Sequence, residues 1–208
     1  MAMLGEVVNI WTYPVKSLRS VPHDAVAVEH DGLEGDRRAA LYVVAPGHAR
    51  TGKTYRGKED NRLHLLAEAD AARQAAAERG VDLESRAGER YFDAGTVSLI
   101  LDRWIAEVER ALNKRLDPLR WRPNFYLRAL ADVQEADLTG KRVALGGTVL
   151  RVLRPIERCV TPNYDIATGE SDLGIQRYVV RERANLMGVY CDVEQPGTVR
   201  AGDRAELS

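Results

Sequence analysis

Along residues 6–15 (EVVNIWTYPV), 25–30 (AVAVEH) and 38–44 (RAALYVV), β-branched and aromatic residues dominate, and Asp31-Gly32 and Pro46-Gly47 supply turn signals. This pattern predicts an antiparallel β unit at the start of the chain. The segment 61–80 (NRLHLLAEADAARQAAAERG) changes character: Asn at its start, Ala, Glu and Arg through its body and Gly80 at its end predict a capped helix. A second helix is predicted over about 96–115, where Val97, Ile100, Leu101, Trp104, Ile105, Val108 and Leu112 recur at three- and four-residue steps. Lys114 and Arg115 suit the negative end of its dipole.

After Asp117-Pro118 the pattern returns to short strands, at 122–127, 142–145, 148–153, 186–193 and 198–207. Strands, two principal helices, then strands again give an α+β chain, mainly β, with the strands bent into an antiparallel, barrel-like core. No repeat, low-complexity tract or flexible linker interrupts it.

Size permits one substantial core or two small ones sharing an interface, since the chain has 208 residues. Its 45% hydrophobic and 29% charged content excludes a disordered or collagen-like chain. A formal net charge of −1 gives no sign of nucleic acid or an acidic membrane as partner, so any anion site must be local. The opening residues show no basic stretch before an apolar run, and no run reaches membrane-spanning length. A cytoplasmic location is therefore expected, and with it two separate thiols at Cys159 and Cys191. Four scattered histidines and no C-x-x-C spacing argue against zinc.

One motif fits on spacing alone. Residues 47–54 (GHARTGKT) satisfy G-x-x-x-x-G-K-[ST], the phosphate loop of nucleotide-binding enzymes. That loop needs a helix starting at Gly-Lys-Thr so that its amides meet the phosphates. Tyr55, Arg56 and Gly57 follow instead, and a hairpin turning through Gly47 and Gly52 explains the residues as well.

Chemistry concentrates elsewhere. Cys159 stands between Arg158 and a run of turn-forming polar residues (157–170, ERCVTPNYDIATGE), where a small buried hydrophobe would be out of place. Nearby positive charge favours its thiolate. Three further stretches, 13–17 (YPVKS), 32–38 (GLEGDRR) and 122–124 (RPN), contribute Lys16, Ser17, Arg37, Arg38, Arg122 and Asn124. Together these suit an anionic heterocycle with a phosphate tail, Lys and Arg serving the phosphate and the planar Arg and Asn groups the ring edges. Singly, each has an ordinary alternative: solvated surface, an Asp36–Arg37 ion pair, a Pro123-Asn124 turn.

The order YPVKS, G-L-x-G-D-R, D-P-x-R-W-R-P-N, R-C-x-x-P-x-x-D-x-x-T-G-E and G-V-Y-x-x-V-x-x-x-G-x-V-x-x-G-D, running from Tyr13 to Asp203, resembles the MOSC family of molybdenum cofactor domains. The resemblance implies an N-terminal β region with a helix over residues 1–92 and the MOSC domain over 93–208. It implies a molybdopterin-type cofactor whose metal is bound by the Cys159 thiolate, with Arg158 and Tyr190 beside it. Lys16, Ser17 and Arg37 then grip the phosphate end, Arg122 and Asn124 the pterin, and Asp165 and Thr168 complete the cofactor contacts. The implied activity is reduction of small N-hydroxylated substrates, with electrons from a partner such as a ferredoxin, flavoprotein or haem protein. A module that delivers cofactor, or carries sulfur as a persulfide on Cys159, is the alternative from a different class.

Overall fold

The β-branched and aromatic residues of the first predicted strand lie in a barrel wall, where Val7, Ile10 and Trp11 are buried. The computed structural model describes residues 2–44 and 51–208. Its strands are β1 (Ala2–Thr12), β2 (Val21–His23), β3 (Ala25–Glu29), β4 (Gly32–Leu33), β5 (Ala39–Val43), β6 (Leu83–Ala87) and β7 (Val97–Leu101). The remainder are β8 (Phe125–Ala129), β9 (Arg142–Leu145), β10 (Thr148–Glu157), β11 (Leu186–Gln195), β12 (Gly197–Arg200) and β13 (Arg204–Leu207). The helices are α1 (Ala69–Ala77), α2 (Asp102–Leu112), α3 (Glu135–Leu138) and α4 (Leu173–Glu182).

Seven strands close on themselves in the order β13, β9, β10, β11, β7, β8, β1, with β1 returning to β13 and β2 attached outside on β1. Every pairing in this barrel is antiparallel except β7 with β8. Closure leaves no edge within the ring. Leu99, Phe125, Leu127, Leu150, Val152, Val189 and Cys191 belong to its buried core. A second core of Leu18, Leu41, Val43, Tyr55, Leu63, Ala72, Ala76 and Val81 lies under α1 and the antiparallel β5–β6 pair. The α+β, barrel-like reading is therefore what the chain adopts.

Two helix boundaries differ from the sequence pattern. Residues 97–101 are a strand, buried along its whole length between β11 and β8. A short continuous apolar run fits a doubly buried strand as well as a helix face, and here the helix starts only at Asp102. Asp102 accepts the Ala129 amide at 2.9 Å, tying α2 to the end of β8.

The other difference is α1. Residues 63–65 form a separate 3-10 turn, and Leu66 is extended (φ −93°, ψ 128°) before the helix begins at Ala69. The Leu66 carbonyl accepts the Arg19 amide at 2.9 Å, so tertiary contact overrides local propensity. Gly80 does end the segment, with φ +73°. Helix α4, not foreseen, buries only Ile175 and Val179, and Asp172 caps it by accepting the Gly174 amide at 2.9 Å.

Residues 52–55 run back along β5: the Gly52 amide donates to Val43, the Val43 amide to Lys53, and Thr54 bridges Tyr42. No helix starts at Gly52-Lys53-Thr54, which removes the structural basis of a phosphate loop. Gly47 lies outside the described residues.

Candidate functional site

The site is built where the chain leaves β1, enters β8 and leaves β10. Its hub is buried. Asp36 is 0% exposed and accepts the Tyr13 amide at 2.6 Å, the Asn124 side-chain amide at 3.1 Å and an Arg37 guanidinium N–H. Asn124, also 0% exposed, donates to the Trp11 carbonyl at 3.1 Å and accepts from the Ser98 amide and hydroxyl, each at 3.0 Å. Its amide hydrogen-bonding capacity is thus spent inside the protein, so Asn124 aligns the site from behind and is not at its surface.

Two guanidiniums face the Tyr13 ring, Arg122 at 4.1 Å and Arg37 at 4.9 Å from its centroid. The Tyr13 hydroxyl donates to the Pro123 carbonyl at 3.0 Å. Burial pushes the phenol far up, outweighing the opposing charges of Arg122, Arg37 and Arg158, so it stays protonated. Arg37 has a carboxylate partner in Asp36, whereas among the described residues no carboxylate pairs with Arg122. Ser17, Arg37 and Arg122 have φ of +73°, +48° and +51°, the left-handed region that non-glycine residues avoid. Such backbone persists where surrounding contacts over-determine it.

Lys16 is 9% exposed and donates to the Phe92 carbonyl at 3.2 Å and to the Asp93 carboxylate at 2.6 Å. Arg38 does not join it. That side chain is 45% exposed and pairs with Glu29 at 2.9 Å and Asp31 at 3.7 Å. Ser17 is half-buried.

Beyond β10 the Cys159 loop is held on both sides. Arg158 donates from Nε to the Met187 carbonyl at 2.7 Å and from Nη1 to the Trp121 carbonyl at 2.8 Å. Gly188 (φ +79°) makes room for this side chain, since a Cβ there would lie 3.0 Å from Nη2. Burial lowers the Arg158 pKa to about 10, which still leaves the group charged at neutral pH. Cys159 is exposed, its Sγ 3.1 Å from the Thr161 hydroxyl, while Cys191 is buried and unpaired within the barrel.

Arg120 fastens the far side of the loop. It donates to the Asn163 carbonyl at 3.1 Å, the Pro162 carbonyl at 3.3 Å and the Asp165 carboxylate at 2.6 Å. The other Asp165 oxygen accepts the Ala167 amide at 2.9 Å, the Thr168 amide at 3.1 Å and the Thr168 hydroxyl at 3.4 Å. Asp165 and Thr168 therefore organise the loop through each other. Tyr190, half-buried on β11, is pushed up by burial against the opposing charge of Arg158, and its ring lies so close to Gly95 that a Cβ there would be 2.7 Å away.

A cleft of about 320 Å³ opens beside these groups, lined by Trp11, Tyr13, Arg19, Ser20, Pro22, His64, Leu119, Arg122 and Ile166. His64 Nε2 lies 2.8 Å from the Asp165 carbonyl, which can only accept, so that nitrogen carries the proton. Apolar walls with a few cations suit a flat anionic ligand. A hollow of about 460 Å³ between β9 and β13 holds none of these residues.

The structure thus groups Lys16, Arg37, Arg122, Arg158, Cys159 and Tyr190, adds Tyr13, Asp36, Asp93, Arg120 and His64, and sets Arg38 apart. Tyr13 and Asp36 were present in the quoted YPVKS and GLEGDR stretches. Arg120, His64 and Asp93 carried no signal of their own. Among the described residues no group of three or more His, Cys, Asp or Glu side chains is gathered for a metal ion. No described helix is long and apolar enough to cross a membrane.

Among solved structures, the YuaD protein from Bacillus subtilis is similar with a TM-score of 0.62 at 18% identity, over 99% of this chain and 96% of that one. YiiM from Escherichia coli is similar with a TM-score of 0.52 at 14% identity, over 99% of this chain and 70% of that one. At such identities the likeness is one of fold. No curated protein matches the sequence. The model of the MOSC domain matches residues 91–206, more than half of the length, and so the chain belongs to the MOSC domain family, which is associated with the molybdenum cofactor.

Proposed function

We propose that this protein is a molybdenum-cofactor oxidoreductase that reduces N-hydroxylated substrates with electrons from a partner protein. The observation that carries the reading is Cys159: an exposed thiol on a loop fixed by Arg158 and Arg120, whose Ile166 lines the cleft that also holds Arg19 and Arg122. A soft thiolate suits the metal, and the donor set fits the rest of such a cofactor. Arg122 has no carboxylate partner among the described residues, and Lys16 and Arg37 offer positive charge for a phosphate. Cys159 would hold the metal, Arg122 the pterin, and Lys16 and Arg37 the phosphate end.

When bound, the cofactor would supply two-electron chemistry, converting R–NH–OH with two electrons and two protons into R–NH2 and water. The chain's own part is to bind and orient. Arg158, charged at neutral pH, anchors the start of the Cys159 loop to the Trp121 carbonyl, while the protonated Tyr13 keeps Arg122 and Arg37 stacked and in place.

The test is to make the chain in a cofactor-competent host and measure molybdenum and pterin together with amidoxime reduction. Near-equal metal and pterin, with activity that Cys159→Ala abolishes, is the expected result. A metal-free protein that is fully active would overturn it. Bound cofactor without turnover under any electron donor would favour delivery of cofactor or sulfur.

A further inference from the structure

Lys16 and Asp93 form an unequal pair. The lysine side chain is 11% exposed and the aspartate 64% exposed, at 2.6 Å. Asp93 lies between β6 and β7 on a segment, 88–96, that forms neither helix nor strand. That segment is pinned on either side of it: the Tyr91 amide donates to the Arg37 carbonyl at 2.9 Å, and the Thr96 hydroxyl donates to the Cys191 carbonyl at 3.0 Å. Between these anchors the span 92–95 meets Lys16 twice, through the Phe92 carbonyl and the Asp93 carboxylate. Its Phe92 ring covers the Arg37 guanidinium at 5.8 Å, and its Phe92 carbonyl accepts from Lys16 at 3.2 Å.

Asp93 also lies within the field of several cations. Partial burial pushes its carboxyl up, but Lys16, then Arg37 and Arg122, outweigh that and hold it below the ordinary carboxylate range. A nearly buried ammonium needs a partner, because an unpaired charge there is strongly disfavoured. Which anion serves is less constrained, since the present one is exposed and sits on irregular backbone.

We propose that Asp93 is an internal stand-in for a ligand's phosphate-class oxyanion at Lys16, so that the span 92–95 gates this seat and is displaced when the oxyanion binds. The proposal rests on the reading of Lys16 and Arg37 as a phosphate grip. The exchange makes and breaks no covalent bond: one anion leaves Lys16 and another arrives. Phe92 moves with Asp93, which uncovers Arg37 for a second contact. The carboxylate therefore sets the threshold for binding, because an incoming anion must compete with it.

The test is calorimetric titration of the full chain with inorganic phosphate, comparing wild type, Asp93→Asn, Lys16→Gln and the double variant, with thermal melts to confirm folding. Removing the competing charge should tighten phosphate binding about tenfold, the size expected for one charge at a few ångströms in a partly solvated site. Lys16→Gln should lose that gain in both backgrounds. Phosphate should also raise the melting temperature of Asp93→Asn more than that of wild type. Asp132→Asn, at an 81% exposed carboxylate, changes net charge equally and should leave affinity at the wild-type value. Equal affinity in Asp93→Asn and wild type, with binding still dependent on Lys16, would overturn the gate and leave the grip standing. Binding indifferent to Lys16, or absent from every variant, would overturn the grip and the gate together. A gain in Asp132→Asn matching that in Asp93→Asn would overturn the gate as a mere net-charge effect.

Discussion

The Asn124 side-chain amide donates to the Asp36 carboxylate at 3.1 Å, joining residues 88 positions apart, and both side chains are wholly buried. Through this contact the strand entry at Asn124 determines where Asp36 sits, and Asp36 in turn positions Arg37. A buried carboxylate tolerates such a position only while all its donors stay in place.

Asn124→Ala would strip a donor from Asp36 and an acceptor from the Ser98 amide at once. We expect a loss of about 3 kcal/mol or more in urea melts, the scale of several stranded buried polar groups. Arg122→Ala should act differently. Its guanidinium lies on Tyr13 and lines the cleft, so cofactor retention should fall while stability changes much less. Equal destabilisation by the two variants would show that Arg122 is structural too.

The two thiols should separate cleanly under alkylation. Burial pushes the Cys191 thiol far up, whereas Cys159 is exposed. Iodoacetamide on native, cofactor-free protein should label Cys159 alone, with Cys191 reacting only after unfolding, as read by peptide mass spectrometry. Cys159→Ser should abolish metal retention with little change in melting temperature, and Cys191→Ser should do the reverse. Native labelling of Cys191 would mean that the barrel opens more easily than its packing implies.

Asp165 gives a dependence on pH. The Ala167 N–H first, and then the Thr168 N–H and Arg120, hold its carboxyl below the ordinary range. An unfolded aspartate titrates near about 3.9, so between that value and the lower folded one the unfolded chain binds more protons. The contribution of Asp165 is therefore fully present above about pH 4 and lost as pH falls through the folded pKa. The difference in urea midpoint between wild type and Asp165→Asn should be constant from pH 6 to pH 5 and shrink by pH 3. A difference unchanged at pH 3 would contradict the assigned hydrogen bonds.

Strands were legible where β-branched and aromatic residues cluster, as at residues 6–15, although β1 ends at Thr12, and at the short run 142–145. Val97–Leu101 were not, since a strand buried on both faces has no alternation and its apolar residues continue into those of α2. Helix α4 was hidden because only two of its residues are buried. The cations of the site could be read as types, but not their partners. Arg37 and Arg38 are adjacent and look equivalent in sequence, yet backbone geometry turns one toward Asp36 and the other toward Glu29. Asn124 was legible as important, while its burial depended on Ser98 and Asp36, which lie far away in sequence.

The last prediction concerns electrons. Reduction of an N–OH bond needs two per turnover, and nothing in these 208 residues resembles a source: two cysteines fall short of the four thiolates of an iron–sulfur cluster, and no G-x-G-x-x-G follows a strand. Cys159 and its neighbour Val160, which is 40% exposed, lie at the surface, so a donor protein can approach the proposed metal position without crossing the barrel. Cofactor-loaded protein should therefore reduce amidoximes with a reduced viologen but not with NADH alone. Adding a ferredoxin, flavoprotein or haem protein that is kept reduced should restore turnover without viologen. Steady-state rates with each donor give the answer, and robust NADH-driven turnover by the pure chain would refute the need for a partner.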